Sequence, residues 1–151
     1  MKTVKDCISQ KTQRTISVSS SDTVQVALEM MKQHRVRAVL VIDSDQLVGI
    51  ISQGDCAIRA LLPGKDAKIT RVSEIMTRDP ITVKPGDPME HCMGLMATRS
   101  IRHLPVVGAD KVIGVVSIGD VVKEMMTDLS QHVFFYWRPT SRATAAKAHS
   151  P

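Results

Sequence analysis

The 151-residue chain repeats itself at a fixed offset of 65 residues, without a gap. Between residues 16–55 and 81–120, 11 of the 40 aligned positions are identical, and 10 of the other 29 exchange one large aliphatic residue or methionine for another. The identities are densest at the end of each copy, where Gly49, Ser52, Gly54 and Asp55 return as Gly114, Ser117, Gly119 and Asp120. Such a period indicates two copies of one supersecondary unit.

The pattern of each copy predicts a β-α-β-β-α unit. A short strand is followed by a turn and by an amphipathic helix, for which Asp22 or Asp87 is the expected N-cap. Two runs rich in valine, isoleucine and leucine are then predicted to form a hairpin, and a second helix begins after Asp55 or Asp120. The expected strands are Ile16–Val18, Ala38–Ile42 and Leu47–Ile51 in the first copy, and Ile81–Val83, Leu104–Val107 and Val112–Val116 in the second.

Neither copy is large enough to fold by itself. A unit of about 60 residues cannot bury both of its faces, so we expect an α+β fold in which the copies pack through their sheets about an approximate two-fold axis. The expected limits are residues 8–66 for the first domain and 67–128 for the second, joined by a polar, turn-rich connector at Leu62–Lys65. Residues 129–151 form a tail that we expect to be partly disordered.

Aromatic residues make up only 3% of the chain, and all four stand together at Phe134–Trp137. A ligand bound by the repeats is therefore not stacked on an aromatic ring. At the end of a domain, such an apolar cluster is more typical of an oligomer contact than of a membrane anchor.

The apolar runs and the cysteines bear on the cellular compartment. No run approaches the roughly 20 apolar residues of a membrane span, and the first residues show no apolar core of a secretory signal. The three cysteines, Cys7, Cys56 and Cys92, have no C-x-x-C spacing, which favours free thiols in a reducing compartment over a metal site or a disulfide. These features predict a cytoplasmic protein with no membrane partner.

The net charge of +5 raises the question of nucleic-acid binding. Residues 1–128 carry 17 basic and 15 acidic side chains, whereas the tail carries Arg138, Arg142 and Lys147 with no acid. Because most of the excess lies in the tail, a mixed solvated surface describes the repeats better than a nucleic-acid interface does.

The motif that ends each copy has two interpretations. Ser-x-x-Asp at the start of a helix is a capping pattern, so Ser52 with Asp55, and Ser117 with Asp120, explain a helix start without a ligand. The same turn also suits a nucleotide, because free N–H groups and a hydroxyl bind phosphate and a carboxylate accepts hydrogen bonds from ribose hydroxyls. The recurrence of both glycines together with serine and aspartate favours the nucleotide site.

Together, these motifs resemble a pair of CBS (cystathionine β-synthase) domains over about residues 8–128. The resemblance rests on the two Gly-x-x-Ser-x-x-Asp turns, on the strand start Arg102–Val106, and on the second copy from Ile75 to Lys123. It implies a regulatory module that binds AMP, ADP, ATP, NAD(H) or S-adenosylmethionine in two clefts between the copies. It also implies that adenine lies between aliphatic side chains, in agreement with the absence of aromatic residues from the repeats.

The resemblance assigns nucleotide-binding residues to each cleft. One cleft would combine Ile51, Ser52 and Asp55 with Ile81, Thr82 and Val83 of the other copy and with Arg102 and His103. The second would combine Val116, Ser117 and Asp120 with Ile16, Ser17 and Val18 and with Val36, Arg37 and Ala38. Neither set implies a catalytic residue or a metal ligand.

The preferred hypothesis is a stand-alone, non-catalytic, energy-sensing module that binds AMP, ATP or NAD(H) and forms a homodimer. The homodimer is expected because apolar helix positions such as Val121–Val122 and Met125–Met126 need a partner surface. One alternative is an enzyme that uses Ser117 and Asp120 on a nucleotide substrate, and another is a nucleic-acid binder that uses the basic tail. The enzyme is disfavoured because no catalytic base or metal cluster is evident.

Overall fold

The computed structural model describes residues 2–11 and 15–136, with side chains described through residue 131. The contact predicted at Phe134–Trp137 depends on side chains that are not among those described. The disorder predicted for the tail concerns residues after 136, which also lie outside the described part. In chain order the elements are α1 (Val4–Ser9), β1 (Ser17–Val18), α2 (Val24–His34), β2 (Ala38–Asp43), β3 (Gln46–Ser52), α3 (Gln53–Asp55) with a π-helical continuation (Cys56–Leu61), α4 (Val72–Ile75), β4 (Thr77–Arg78), α5 (Met89–Arg99), β5 (His103–Gly108), β6 (Lys111–Ser117) and α6 (Ile118–Tyr136). The fold is therefore the mixed α+β arrangement that the repeat predicts.

The two hairpins share one pairing register. In the first copy, β1 is parallel to β2, and β2, β3 and β4 are antiparallel neighbours in a four-stranded sheet. In the second copy, β5 and β6 form a separate antiparallel sheet. Ala38 lies opposite Ser52, and His103 lies opposite Ser117. Each serine thus closes its hairpin beside the first residue of the preceding strand.

One sequence difference breaks the symmetry between the copies. In the first copy the Leu40 N–H donates to the Ile16 carbonyl (3.2 Å), which extends the parallel pairing of β1. The second copy has Pro105 at the position of Leu40, and proline has no N–H to donate. The predicted strand Ile81–Val83 is therefore reduced to a single bridge between Val83 and Val106.

The short helix that precedes each copy packs on the other copy. Val72 and Ile75 of α4 lie in the buried cluster of the first copy, whereas Val4 of α1 lies in that of the second. The same backbone bond fixes both helices, because the Val72 N–H donates to the Asp22 carbonyl and the Val4 N–H to the Asp87 carbonyl, each at 2.8 Å. The N-terminal segment thus completes the second copy. The domain limits drawn from the repeat alone stay a prediction.

The predicted N-cap of α2 is wrong by one residue. Thr23 is the N-cap, and its side-chain oxygen accepts a hydrogen bond from the Val26 N–H (3.3 Å). Asp22 instead accepts from the Ser19 N–H (2.8 Å) and closes the turn before the helix. The predicted N-cap Asp87 of α5 is wrong in the same way: the N-cap is Pro88, and Asp87 closes the equivalent turn by accepting from the Lys84 N–H (2.8 Å). A short aspartate side chain bonds readily to nearby backbone N–H groups, here those on its N-terminal side.

The recurring glycine of β3 and β6, Gly49 or Gly114, lies where the short helical segment that precedes the other copy crosses the strand. A Cβ at Gly49 would lie 2.7 Å from the Met76 sulfur and 2.8 Å from the Thr77 carbonyl oxygen, whereas the nearest atom to one at Gly114 is a methyl group of Ile8 at 3.1 Å. We expect Gly49→Ala to lower the free energy of unfolding by about 1–3 kcal/mol through overpacking. The loss for Gly114→Ala should be smaller, because a side-chain methyl moves more easily than a backbone carbonyl.

Urea denaturation of the two variants measures this difference. Gly54→Ala is the matched control, since the nearest atom to its Cβ would be the Ser52 hydroxyl oxygen at an ordinary 3.6 Å. Equal losses in all three variants would contradict the role assigned to the crossing.

Candidate functional site

A cleft of about 860 Å³ opens where the two copies meet. Its lining residues fall within the segments 8–11, 15–16, 35–38, 102–103 and 113–123. The cleft therefore combines the N-terminal segment, strand starts from both copies, and the turn that joins β6 to α6.

The Ser117–Asp120 turn forms a complete capping box at the cleft. The Ser117 N–H and hydroxyl donate to Asp120 Oδ2 (2.7 and 3.0 Å), and the Asp120 N–H donates to Ser117 Oγ (3.3 Å). In the first copy, Ser52 and Asp55 exchange the equivalent backbone bonds at 3.0 and 3.1 Å. The capping interpretation is thus correct for both copies, and a ligand-binding role would be additional to it.

The start of β5 is tied to the start of α6. The Ile118 N–H donates to the Arg102 carbonyl (2.8 Å), and His103 lies opposite Ser117 in the hairpin. In the first copy the Gln53 N–H donates in the same way to the Arg37 carbonyl (3.0 Å). These bonds hold the two strand starts, and with them both arginines, at the cleft.

The cleft contains part of each predicted set. From the set predicted around Asp120 it includes Ile16, Val36, Arg37, Ala38, Ser117 and Asp120. Ser17, Val18 and Val116 of that set do not line it, and the two valines are buried in the core. Arg102 and His103, predicted beside Asp55, instead lie in this cleft with Asp120, because β5 pairs with β6 within one hairpin.

The residues predicted around Asp55 have other partners. Arg59 lies 3.9 Å from the Asp55 carboxylate and donates to the carbonyls of Ile75 and Met76 (3.4 and 3.3 Å). Ile51 is fully buried, Val83 pairs with β5, and Ile81 and Thr82 are exposed. Among the described residues, no hydrogen bond or ion pair joins the Ser52–Asp55 turn to 81–83. The Asp55 cleft stays a prediction.

The cleft is strongly cationic. Lys11, Arg35, Arg37, Arg102 and Lys123 line it, and the only carboxylate among the lining residues described is that of Asp120. Burial lowers the pKa of His103 below its usual range, and the charges of Lys11, Arg102 and Arg37 lower it further, while Asp120 raises it. His103 is therefore neutral at pH 7, and the excess positive charge comes from lysine and arginine. Such a cleft attracts anions.

Lys11 is the main lining residue that the sequence did not predict. Its ammonium lies 2.6 Å from Asp120 Oδ2, although 109 positions separate the two residues in the chain. The sequence does contain a signal for the helix that precedes Lys11. Thr3 and Asp6 form a capping box that starts α1, as Arg71 and Glu74 form one that starts α4. Only the packing shows that α1 belongs with the second copy.

The remaining reactive groups of the described residues do not form a second site. Burial raises the pKa of Cys56 and of Cys92 to about 11, so both are protonated thiols at pH 7. Within residues 2–11 and 15–131, no group of three metal-ligating side chains comes together. No helix of the described part is long and apolar enough to cross a membrane.

Comparison with known proteins identifies the same unit in both halves. The CBS domain family matches residues 4–60 and again residues 72–127. The CBS domain-containing protein YhcV of Bacillus subtilis (strain 168) is 35% identical over 130 residues, which cover 86% of this chain and 90% of YhcV. The crystal structure of the CBS domain NE2398 is 38% identical, with a TM-score of 0.79 over 83% of this chain and 98% of that one.

A second solved structure contains bound ligands. The CBS domain pair of protein MJ0100, in complex with 5′-methylthioadenosine and S-adenosyl-L-methionine, is 28% identical to this chain. Its TM-score is 0.76, and the match covers 85% of this chain and 98% of that one.

The lowered pKa of His103 makes stability depend on pH. Below about pH 6.5 the unfolded chain binds a proton at this residue that the folded protein does not, so the free energy of unfolding falls as the pH drops. We expect His103→Gln to reduce this loss between about pH 7 and pH 5, as measured by urea denaturation across that range. His91→Gln, at an exposed position on α5, is the control. An unchanged pH profile for His103→Gln would contradict the assignment.

Proposed function

The chain belongs to the CBS domain family, and on this premise we propose that it is a non-catalytic regulatory module that binds an adenosine nucleotide, AMP, ADP, ATP or NAD(H), in the cleft at Asp120. The observation that carries the proposal is the position of the Asp120 carboxylate between the start of α6 and a cluster of cationic side chains. The comparisons support the family and the regulatory pair, and the choice of ligand is our inference from the cleft.

The cleft offers a complementary group for each part of a nucleotide. The Asp120 carboxylate suits the ribose hydroxyls, and the Ser117 hydroxyl lies at the start of the 19-residue helix α6, where the helix dipole favours phosphate. Ile16, Val36 and Ile113 provide aliphatic wall for adenine, and none of the lining residues described is aromatic. The ligands in the MJ0100 structure share the adenosine group, which supports this assignment.

The charge of the cleft favours phosphate-bearing ligands within the adenosine class. Five cationic side chains attract the phosphates of AMP, ATP or NAD(H), and they repel the positive sulfonium of S-adenosylmethionine. We therefore expect this chain to prefer a nucleotide, whereas the MJ0100 pair is found with S-adenosyl-L-methionine.

The geometry does not favour the enzyme alternative. Ser117 Oγ donates to Asp120 Oδ2 and accepts from the Asp120 N–H, so both side chains serve the helix cap, and the carboxylate oxygen is also held by the Lys11 ammonium. The nucleic-acid alternative depends on the tail 138–147, which lies outside the described residues. A cytoplasmic location remains part of the proposal, based on the unpaired thiols.

We further propose a homodimer formed through the apolar surface of α6. Ile118, Val122, Met125, Met126 and Leu129 are all exposed on this helix in the single chain. Such a concentration of large apolar side chains on one helix is typical of a contact surface, and a symmetric dimer covers it with a second copy of the same helix.

Loss of the Asp120 carboxylate should weaken ligand binding. We expect Asp120→Ala to reduce the affinity for ATP and AMP by about 1.5–3 kcal/mol, because charge-assisted hydrogen bonds to the ribose are lost. Loss of the cap alone should cost about 1 kcal/mol of unfolding free energy. Isothermal titration calorimetry gives the first quantity and urea denaturation gives the second.

Asp55→Ala is the matched control, because it removes the equivalent capping box away from this cleft. It should lower stability by a similar amount and leave ATP affinity at the Asp120 cleft unchanged. GTP should bind more weakly than ATP to the wild-type protein. If Asp120→Ala melts at a lower temperature but binds normally, the turn is only a cap and the proposed site is wrong.

The dimer has its own test. Light scattering of the wild-type protein should give about twice the chain mass of 16.6 kDa. The double substitution Val122→Glu with Met126→Glu should give the mass of one chain, because buried unpaired carboxylates oppose association. Val26→Glu, at an exposed position on α2, should leave the dimer intact. A wild-type monomer would exclude the homodimer.

A further inference from the structure

The N-terminal segment, which precedes both copies of the repeat, forms one wall of the cleft. Ile8, Gln10 and Lys11 are among its lining residues. Two residues before Lys11 anchor the segment. Val4 is fully buried in the second core, and Ile8 packs against the backbone of β6 at Gly114. The position of Lys11 is therefore set by the core of the second copy.

Lys11 makes two polar contacts inside the cleft. Its ammonium lies 2.6 Å from Asp120 Oδ2 and donates to the Val115 carbonyl at 2.5 Å. The side chain of Lys11 is 31% exposed and that of Asp120 is 14% exposed, so the pair is partly shielded from water. Because the ammonium has three N–H donors, one of them is left over after these two contacts.

A ligand that uses Asp120 must compete with Lys11. Asp120 Oδ2 already accepts from Lys11 and from both donors of Ser117. Vicinal ribose hydroxyls bind both oxygens of a carboxylate. Oδ2 already has three donors, so the hydroxyl that binds there displaces the ammonium, which then requires another anion in a partly buried site. A phosphate on the same ligand provides that anion, whereas a neutral nucleoside does not.

We propose that Lys11 determines specificity, by exchanging Asp120 for a ligand phosphate and so selecting phosphorylated adenosine ligands over adenosine itself. This inference rests on the proposed function. The exchange leaves neither group without a partner, because the hydroxyls bind Asp120 while the phosphate binds Lys11. Adenosine, which has no anionic group, would break the Lys11–Asp120 pair without replacing it.

Calorimetric titration of ATP and adenosine into Lys11→Gln tests the proposal. We expect the affinity for ATP to fall by about ten-fold, the usual effect of losing a charge-assisted hydrogen bond, and the affinity for adenosine to stay constant or rise. Lys11→Arg should retain the preference for ATP, since the charge remains. Lys5→Gln removes the same charge from exposed α1 outside the cleft and should change neither affinity.

Two results would overturn the proposal while the proposed function stands. An equal loss for ATP and adenosine in Lys11→Gln would show a purely structural role. A gain in ATP affinity would show that Lys11 only obstructs the site. If the wild-type protein binds none of AMP, ADP, ATP, NAD(H) and adenosine, the proposed function itself is wrong, and the inference is overturned with it.

Discussion

The packing of α1 on the second copy determines the chemistry of the cleft. The bond from the Val4 N–H to the Asp87 carbonyl, together with the buried Val4 side chain, fixes the N-terminal segment beside β6. Without this contact the Asp120 carboxylate would face a cleft formed only by the two repeats. With it, a lysine from a distant part of the sequence lies within hydrogen-bonding distance of that carboxylate.

The repeat predicts the fold because each copy is locally consistent. Short continuous apolar runs rich in valine and isoleucine specify the hairpins, and the Ser-x-x-Asp pattern specifies where the following helix begins. Only part of the cleft around Asp120 is predictable from the sequence. Residues 36–38 and the Ser117 turn can be predicted, because they lie within the repeat. Arg102 and His103 line the Asp120 cleft, although the prediction placed them with Asp55, because periodicity gives the strands but not which copy contributes each wall. Lys11 is missed because a pattern at an offset of 65 contains no information about the segment before it.

The two copies also differ in ways that only the backbone reveals. Pro105 removes one donor and shortens the first strand of the second copy, whereas Leu40 keeps that donor in the first. The acid of each turn has a different partner as well: Asp55 lies beside Arg59 of its own helical segment, and Asp120 beside Lys11 of the N-terminal segment. A pseudo-symmetric scaffold thus gives its two turns different electrostatic surroundings, and pseudo-symmetry alone does not make two clefts equivalent.

Each of the short helices α1 and α4 packs on the copy that it does not precede, and this imposes an order on folding during synthesis. All residues of the first core have been made once Met76 is synthesised, so their packing can begin while the rest of the chain is still being translated, although the second copy is needed to cover the remaining face. The partners of Val4 in the second core extend to Val116 and Val121, which leave the ribosome more than a hundred residues later. Helix α1 is thus synthesised before both copies of the repeat but is among the last elements of the fold to dock, through one of its longest-range contacts.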